Sequence, residues 1–414
     1  MNVRTDREPA VRGAGRRVVL AATLGAVLFL ASFGLLHSRP FARGQIIDTP
    51  LYQRYGEAML DGQVPYRDFT LEYPPGALPA FVLPAFASHG HYRTAFEIFG
   101  VLLGLGTIAL VALSLHRLRA SATWLLVGCA IIGLAPLALG SVVLTRFDAW
   151  PAFLTAAGLA AALSRRERLG LGLLGLAAAA KIYPIVLVPL VVLCVRRRAG
   201  LRRAVEGLAA FAAVVLLCLL PFAVAAPEGL WAALSRQLGR PLQIESLGSS
   251  LLLAAHQLGA YLPAVVNSHG SQNLSGSLPD GLAAVQTVLQ IASIAGFWLL
   301  YALGRRGPQE LAAASAGSVS AFIALGKVLS PQFLLWLVPL VPLVGGALGI
   351  AASAILAAAL VLTHLWFPQL YASLVGLGAT PAWLLLARNA LLVALTAVLA
   401  AESWRLMSLG RKPA

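Results

Sequence analysis

Charge is scarce in this sequence. Only 11% of its 414 residues are charged, 59% are hydrophobic, and the mean hydropathy is +0.82. A soluble globular chain carries about a quarter charged residues, because its surface must face water; this composition excludes that class. Cysteine is nearly absent. Cys129, Cys194 and Cys218 all lie within apolar runs, which excludes a disulfide framework and a cysteine metal site. No HExxH, CxxC, Walker A segment or Ser-His-Asp order is present, so the common metalloprotease, redox, nucleotide and hydrolase signatures are missing. Alternating polarity is missing as well, which excludes a membrane β-barrel. Lysine occurs three times, at 181, 327 and 412, against 28 arginines.

What the chain has instead is a succession of continuous apolar stretches, several of them of the roughly 17–25 residues that cross a bilayer. They predict an all-α polytopic membrane protein of about twelve spans, near 18–36, 95–116, 123–140, 149–164, 169–180, 184–195, 204–226, 282–303, 310–326, 332–345, 348–367 and 382–402. The spans at 169–180 and 184–195 are short and read as thin or broken helices, which are tolerated where they line a cavity. Residues 1–17 form a basic tail, 18–404 a single transmembrane domain and 405–414 a second tail. Two long loops, 37–94 and 227–281, each carry a segment read as a helix lying in the membrane interface, at 75–88 and 249–263.

The arginines orient this arrangement. With both termini cytoplasmic, the clusters at 4–17, 117–119, 165–168, 196–203, 305–306 and 405–412 all fall on one side. That side holds 20 Lys+Arg and 6 acids, a net of +14, while the rest of the chain nets +1. The overall +15 is therefore a positive-inside signal, and no nucleic-acid partner is expected. The chain reads as a multi-pass protein of the cell (plasma) membrane, with its two long loops extracytoplasmic. GxxxG-like spacings such as Gly100 to Gly104 report helix packing.

Most of the remaining ionisable residues collect on the outer face. The first loop holds Asp48, Glu57, Asp61, Asp68, Glu72 and Tyr73. Asp48-Thr49-Pro50 has the form of a helix start, so Asp48 is either a cap or a base at the membrane surface. Short outer turns carry Arg146 and Asp148 in LTRFDAWP, Lys181 and Tyr183 in AAAAKIYP, and Lys327 and Gln332 in ALGKVLSPQF. A lysine at a helix C-terminus is favourable by itself. One flanked by apolar residues usually has an anionic partner, and two lysines with Arg146 are suited to holding a phosphate. The second loop adds Arg236, Arg240, Glu245, His256 and His269.

Taken in order, the early outer aspartate, PYRDFTLEYPPG, RFDAWP, KIYP, QIES, KVLSPQFLLWLVP and LTHLWFPQLY resemble glycosyltransferase family 87, over about residues 44–404. That family comprises polyprenyl-phosphate-dependent hexosyl- and mannosyltransferases of the GT-C fold, including the mycobacterial-type mannosyltransferase of phosphatidylinositol mannoside synthesis. The resemblance implies a first-loop aspartate as catalytic base, matched here by Asp48, and a functional outer histidine, for which His256 and His269 are both available. It places Arg146, Lys181 and Lys327 around the donor phosphate. Glu72 is a second candidate in catalysis, and Asp148, Tyr73, Tyr183, Glu245 and Gln332 are expected to orient substrates.

The chemistry is consistent with this. Nucleotide sugars are cytoplasmic, so transfer on the outer face needs a lipid-borne donor. Its phosphate leaving group calls for cations, and the acceptor hydroxyl, on a glycolipid or glycan, calls for a base. One base and direct displacement invert the sugar, with no cofactor and no metal required. A multispan transporter or flippase is the alternative, but it would show internal repeats and charges along a midplane path; neither is visible here.

Overall fold

The computed structural model describes residues 8–38, 41 and 44–409. Arg4 and Arg7 of the expected N-terminal tail, and Arg411 and Lys412 of the C-terminal one, lie outside the described residues. The chain is a bundle of apolar helices with two elaborated loops at one end. It begins with α1 (Glu8–Leu35), then α2 (Thr49–Leu60), α3 (Leu78–Ala85), α4 (Tyr92–Arg117), α5 (Ala122–Leu139), α6 (Val142–Thr145), α7 (Ala149–Leu163) and α8 (Glu167–Ala180). After these come α9 (Val188–Ala225), α10 (Pro227–Leu238), α11 (Leu247–Gln257), α12 (Ser277–Leu303), α13 (Pro308–Ala324), α14 (Gly346–Trp366), α15 (Tyr371–Val375) and α16 (Ala379–Leu409).

Seven helical stretches among the described residues are long and apolar enough to cross a membrane. Their exposed faces carry residues such as Leu102, Leu217, Val224, Val288 and Ile350, as lipid contact requires. The protein is a multi-pass membrane protein. The shorter α7 and α13 are largely buried inside the bundle instead, and α8 buries half of its residues. The sequence of α13, AAASAGSVSA, has small residues all around, and Cβ-free contact lets its neighbours approach: a Cβ on Gly317 would meet the Phe297 ring at 2.1 Å. This is the close packing that small residues provide where no solvent drives association.

Residues 184–195 and 204–226 lie along the two limbs of α9, which are separate helices broken at Gly200, whose φ of 86° lies in the left-handed region that glycine tolerates. The structure differs from the sequence expectation in two places. Residues 332–345 are not an α-helix. They form 3-10 turns at Pro331–Trp336 and Val341–Leu343, because Pro331, Pro339 and Pro342 withhold the amides a helix needs. Nearly every residue of this segment is buried in protein, the only setting in which irregular backbone is tolerated at membrane depth. The loop 227–281, expected to carry one helix at 249–263, also contains a three-stranded antiparallel sheet. Its strands are β1 (Leu242–Gln243), β2 (Ala264–Ser268) and β3 (Ser271–Ser275), in the order β1-β3-β2. Segments 75–88 and 249–263 do contain helices, α3 and α11.

Chain direction separates the two ends of the bundle. α7 runs from Asp148 to the Arg165–Arg166 turn, and α8 returns from there to Lys181. The first limb of α9 leads away again to Arg196–Arg198, and its second limb comes back to α10 and the second loop. The loop carboxylates and the arginine clusters thus occupy opposite ends. With Cys218 replaced by alanine, since Cys129 and Cys194 are buried, Arg67→Cys and Arg197→Cys are expected to react with an impermeant thiol reagent from opposite sides of the membrane. Labelling of both from one side would overturn this orientation.

Candidate active site

The first loop builds an aromatic core of its own. Tyr52 and Tyr55 from α2, Tyr66, Phe81 from α3, and Tyr92 and Phe96 from α4 are all buried together. Phe147 is inserted among them, its ring centroid 4.7 Å from Tyr73, 5.2 Å from Phe81 and 5.7 Å from Tyr52. Between α6 and α7 lie only Arg146, Phe147 and Asp148. Anchoring the phenyl ring therefore fixes the directions of the two charged side chains beside it.

Arg146 pairs with Asp48, and Tyr52 donates its hydroxyl to Asp48 Oδ2 at 3.3 Å. Asp48 occupies the N-cap position of α2 but makes no side-chain capping bond. Its carboxylate faces the arginine instead. Arg146 is 7% exposed and its Nε–H is buried without a partner.

Asp148, on the other side of Phe147, is 1% exposed. Its Oδ1 accepts from Lys181 Nζ at 2.6 Å and from Trp336 Nε1 at 2.8 Å, while Oδ2 is buried with no partner. The Lys181 ammonium also lies 4.8 Å from the Phe147 centroid and 5.1 Å from those of Phe333 and Trp336. Three ring faces around one cation replace part of its lost hydration. Trp336 is held in turn between Tyr183 and Phe333, each with its centroid 4.1 Å away. Tyr183 is fully buried, with its hydroxyl 2.9 Å from Thr155 Oγ1 and 3.1 Å from the Pro151 carbonyl. It braces Trp336 and has no free group to offer a substrate.

The second loop closes over this pair of salt bridges. β2 and β3 are joined by a two-residue turn, His269-Gly270, in which both residues have positive φ, the geometry that matches the twist of a hairpin. The turn rests on Glu72: a Cβ on Gly270 would fall 2.4 Å from Glu72 Oε1. Burial raises the Glu72 pKa, opposed by Arg240, Arg236 and Lys181. Burial likewise lowers that of Arg240, opposed by Glu72 and Glu245. Glu245 follows β1 and accepts from Gln243 Nε2. Burial pushes its carboxyl up to about 7, against the opposing pull of Arg388, Arg146 and Arg240. A group of alternating charges thus links Asp48, Arg146, Asp148, Lys181, Glu72, Arg240 and Glu245.

Other predicted residues lie apart from this group. His256 turns its Nδ1 to the Tyr261 carbonyl at 3.0 Å, bracing the end of α11. Lys327 Nζ reaches the Leu238 carbonyl at 3.3 Å, and its own carbonyl accepts from Gln243 N at 3.0 Å. It ties α10 to β1, and makes no ion pair among the described residues. Gln332 makes no side-chain hydrogen bond among them either. No group of three His, Cys, Asp or Glu side chains converges there on a possible metal position.

Arg388 was missed. It is fully buried in α16, donates from Nη2 to the Glu245 carbonyl at 3.0 Å and lies over Trp366 at 5.6 Å. Its Nε and Nη1 are buried without partners. The available signal was a lone arginine inside WLLLARNALLV, since a charge within a span is costly and usually functional.

A membrane bundle with acids and cations gathered at one end defines the class as a membrane transferase or transporter, and the family comparison decides between them. The model of glycosyltransferase family 87 matches residues 69–331, more than half of the chain. The chain belongs to that family and is a membrane glycosyltransferase. The match includes Glu72, Arg146, Asp148, Lys181 and Glu245, and begins after Asp48. No curated protein matches the chain.

Two outcomes test the electrostatics. Lys181→Met leaves Asp148 as an uncompensated buried charge, and is expected to cost about 3–5 kcal/mol of stability. Adding Asp148→Asn should recover most of that loss, as read by thermal unfolding in detergent. Glu245 has a raised pKa in the folded state, so its contribution is present at low pH and lost as pH rises through about 7. Glu245→Gln should accordingly become more stable than the parent by up to ~3 kcal/mol above neutrality, and converge with it near the normal carboxyl pKa.

Proposed function

We propose that this enzyme is an inverting transferase. It moves a hexose, mannose by family resemblance, from a polyprenyl-phosphate sugar to a hydroxyl of a lipid or glycan acceptor at the outer face of the plasma membrane. The chain crosses the bilayer about twelve times with both termini inside, counting the limbs of α9 separately and the broken segment 331–343 as one crossing. The observation that carries the reading is the pairing of Asp48 with Arg146 beside the pairing of Asp148 with Lys181. This sets one partly exposed carboxylate among cations at the membrane boundary.

In the reaction, Asp48 accepts the proton of the acceptor hydroxyl as its oxygen bonds to the anomeric carbon. The bond from that carbon to the phosphate oxygen breaks, and polyprenyl phosphate leaves with the electron pair. Arg146 keeps Asp48 directed at the acceptor and faces the departing phosphate; the remaining N–H groups of Lys181 and the guanidinium of Arg240 complete its surroundings. Preorganised cations stabilise charge developing in the transition state without reorganising at the moment of reaction. Glu72, held under the hairpin turn, orients sugar hydroxyls. His256 and Lys327 support the loop that covers the site. The transporter reading lacks support, because the family whose model the chain matches is one of glycosyltransferases.

Asp48→Asn keeps the side-chain shape and removes the base. A folded variant is expected to transfer sugar from a polyprenyl-phosphate donor at least ~100-fold more slowly, the low end for loss of a general base. Near-normal turnover would pass the role of base to Glu72.

A further inference from the structure

Arg388 and Asn389 are consecutive residues of α16, both buried, and both bind the corner between β1 and α11. Arg388 Nη2 and Asn389 Nδ2 donate to the Glu245 carbonyl at 3.0 and 3.3 Å, and Asn389 Nδ2 also reaches that of Ser246 at 3.1 Å. Ser246 caps α11, its Oγ accepting from Ser249 N. The Glu245 carboxylate is held by Gln243, whose Nε2 donates to it and, at 2.9 Å, to Ser330 Oγ.

The carbonyl by itself does not explain an arginine at this position. Asn389 already offers it a neutral donor, and a guanidinium inside a membrane helix is costly. The Nε and Nη1 of Arg388 have no partner, and the Trp366 ring 5.6 Å away replaces only part of its lost hydration. Its charge is compensated through Glu245. Of the cations that act on this carboxyl, Arg388 is foremost, ahead of Arg146 and Arg240. Tyr371 of α15 is the remaining titratable group that faces it. Three arginines thus share one carboxylate, and two of them, Arg146 and Arg240, face the leaving phosphate in the proposed reaction.

We propose that Arg388 is a positioning residue for the transfer: it holds Glu245 and its charge in place, and through Glu245 it orients the Arg146 and Arg240 guanidiniums. The inference rests on the proposed reaction and names a residue beyond the segment 69–331 that the family model matches. An ionised Glu245 fixes the directions of both guanidiniums. A protonated one leaves Arg146 to Asp48 and Asp148, and Arg240 to Glu72.

Arg388→Gln keeps a donor for the Glu245 carbonyl and removes the charge. In transfer from a polyprenyl-phosphate sugar, the parent kcat should rise with pH through about 7, where Glu245 ionises. Loss of an opposite charge raises a carboxyl pKa by about one unit or more. The rise in Arg388→Gln should therefore lie about one pH unit higher, with kcat at neutrality about fivefold lower and KM little changed. Glu245→Gln should lack the rise, and adding Arg388→Gln to it should change nothing further. Asn389→Ala loses a bond to the same carbonyl but no charge, and should lower stability while leaving the rise where it is. Thermal unfolding against pH reads the coupling without catalysis. The stability gained by Glu245→Gln should level off above about 7 in the parent background, and about one pH unit higher in Arg388→Gln. An unshifted rise in folded Arg388→Gln overturns the proposal. So does a rise that survives Glu245→Gln, a change that leaves α16 intact and needs no Arg388 variant to fold. A parent that transfers nothing from polyprenyl-phosphate sugars at any pH would overturn the proposed reaction, and the unfolding curves would still decide whether Arg388 acts on Glu245.

Discussion

The buried carboxylate of Asp148 is the constraint around which the rest of this end of the molecule is arranged. An ionised carboxylate removed from water must be paired and hydrogen-bonded. Asp148 takes its cation from Lys181 and a neutral donor from Trp336. These two requirements bring the start of α7, the end of α8 and the proline-rich segment after α13 to one point. Trp336 must then lie flat between Tyr183 and Phe333. Both rings come from 3-10 turns, Tyr183–Leu187 and Pro331–Trp336, which Pro184 and Pro331 favour over a regular helix.

Phe147 couples this pair to the first loop. Its ring belongs to the aromatic core of α2, α3 and α4, while its two neighbours in sequence point to different partners. One aromatic anchor therefore sets both the position of Asp48 relative to Arg146 and that of Lys181 relative to Asp148. Such a site is preorganised by packing rather than by its own charges, and its cations are held in place before substrate arrives. Each is also partly neutralised by an acid. Under the proposed reaction, that suits a site which meets a negatively charged leaving group only briefly and must then release it.

The second loop has a separate role. Its small sheet and the β2–β3 turn cover Glu72 and carry Glu245 inward to the arginines. Covering acidic groups raises their pKa and excludes water.

Hydropathy and arginine placement made the membrane class and the helices legible in the sequence. Both depend on local composition, and local composition is what a bilayer reads. The charged turns were legible for the same reason: a lysine or an arginine-aspartate pair beside apolar helix ends is costly wherever the chain goes. Pairings were not. Asp48 and Arg146 are 98 positions apart, and nothing local distinguishes Asp48 the cap from Asp48 the partner of an arginine. Lys181 and Lys327 look alike in sequence, yet only Lys181 meets a carboxylate, because the path of α8 leads to Asp148 and that of α13 leads to the α10–β1 corner. Arg388 was hidden inside an apolar run, its neighbours assigned by the packing of α11 and α14 on α16. Composition determined which segments enter the membrane; only the tertiary structure decided which charges meet there, because a buried charge is stabilised by particular partners in space and not by the type of segment that carries it.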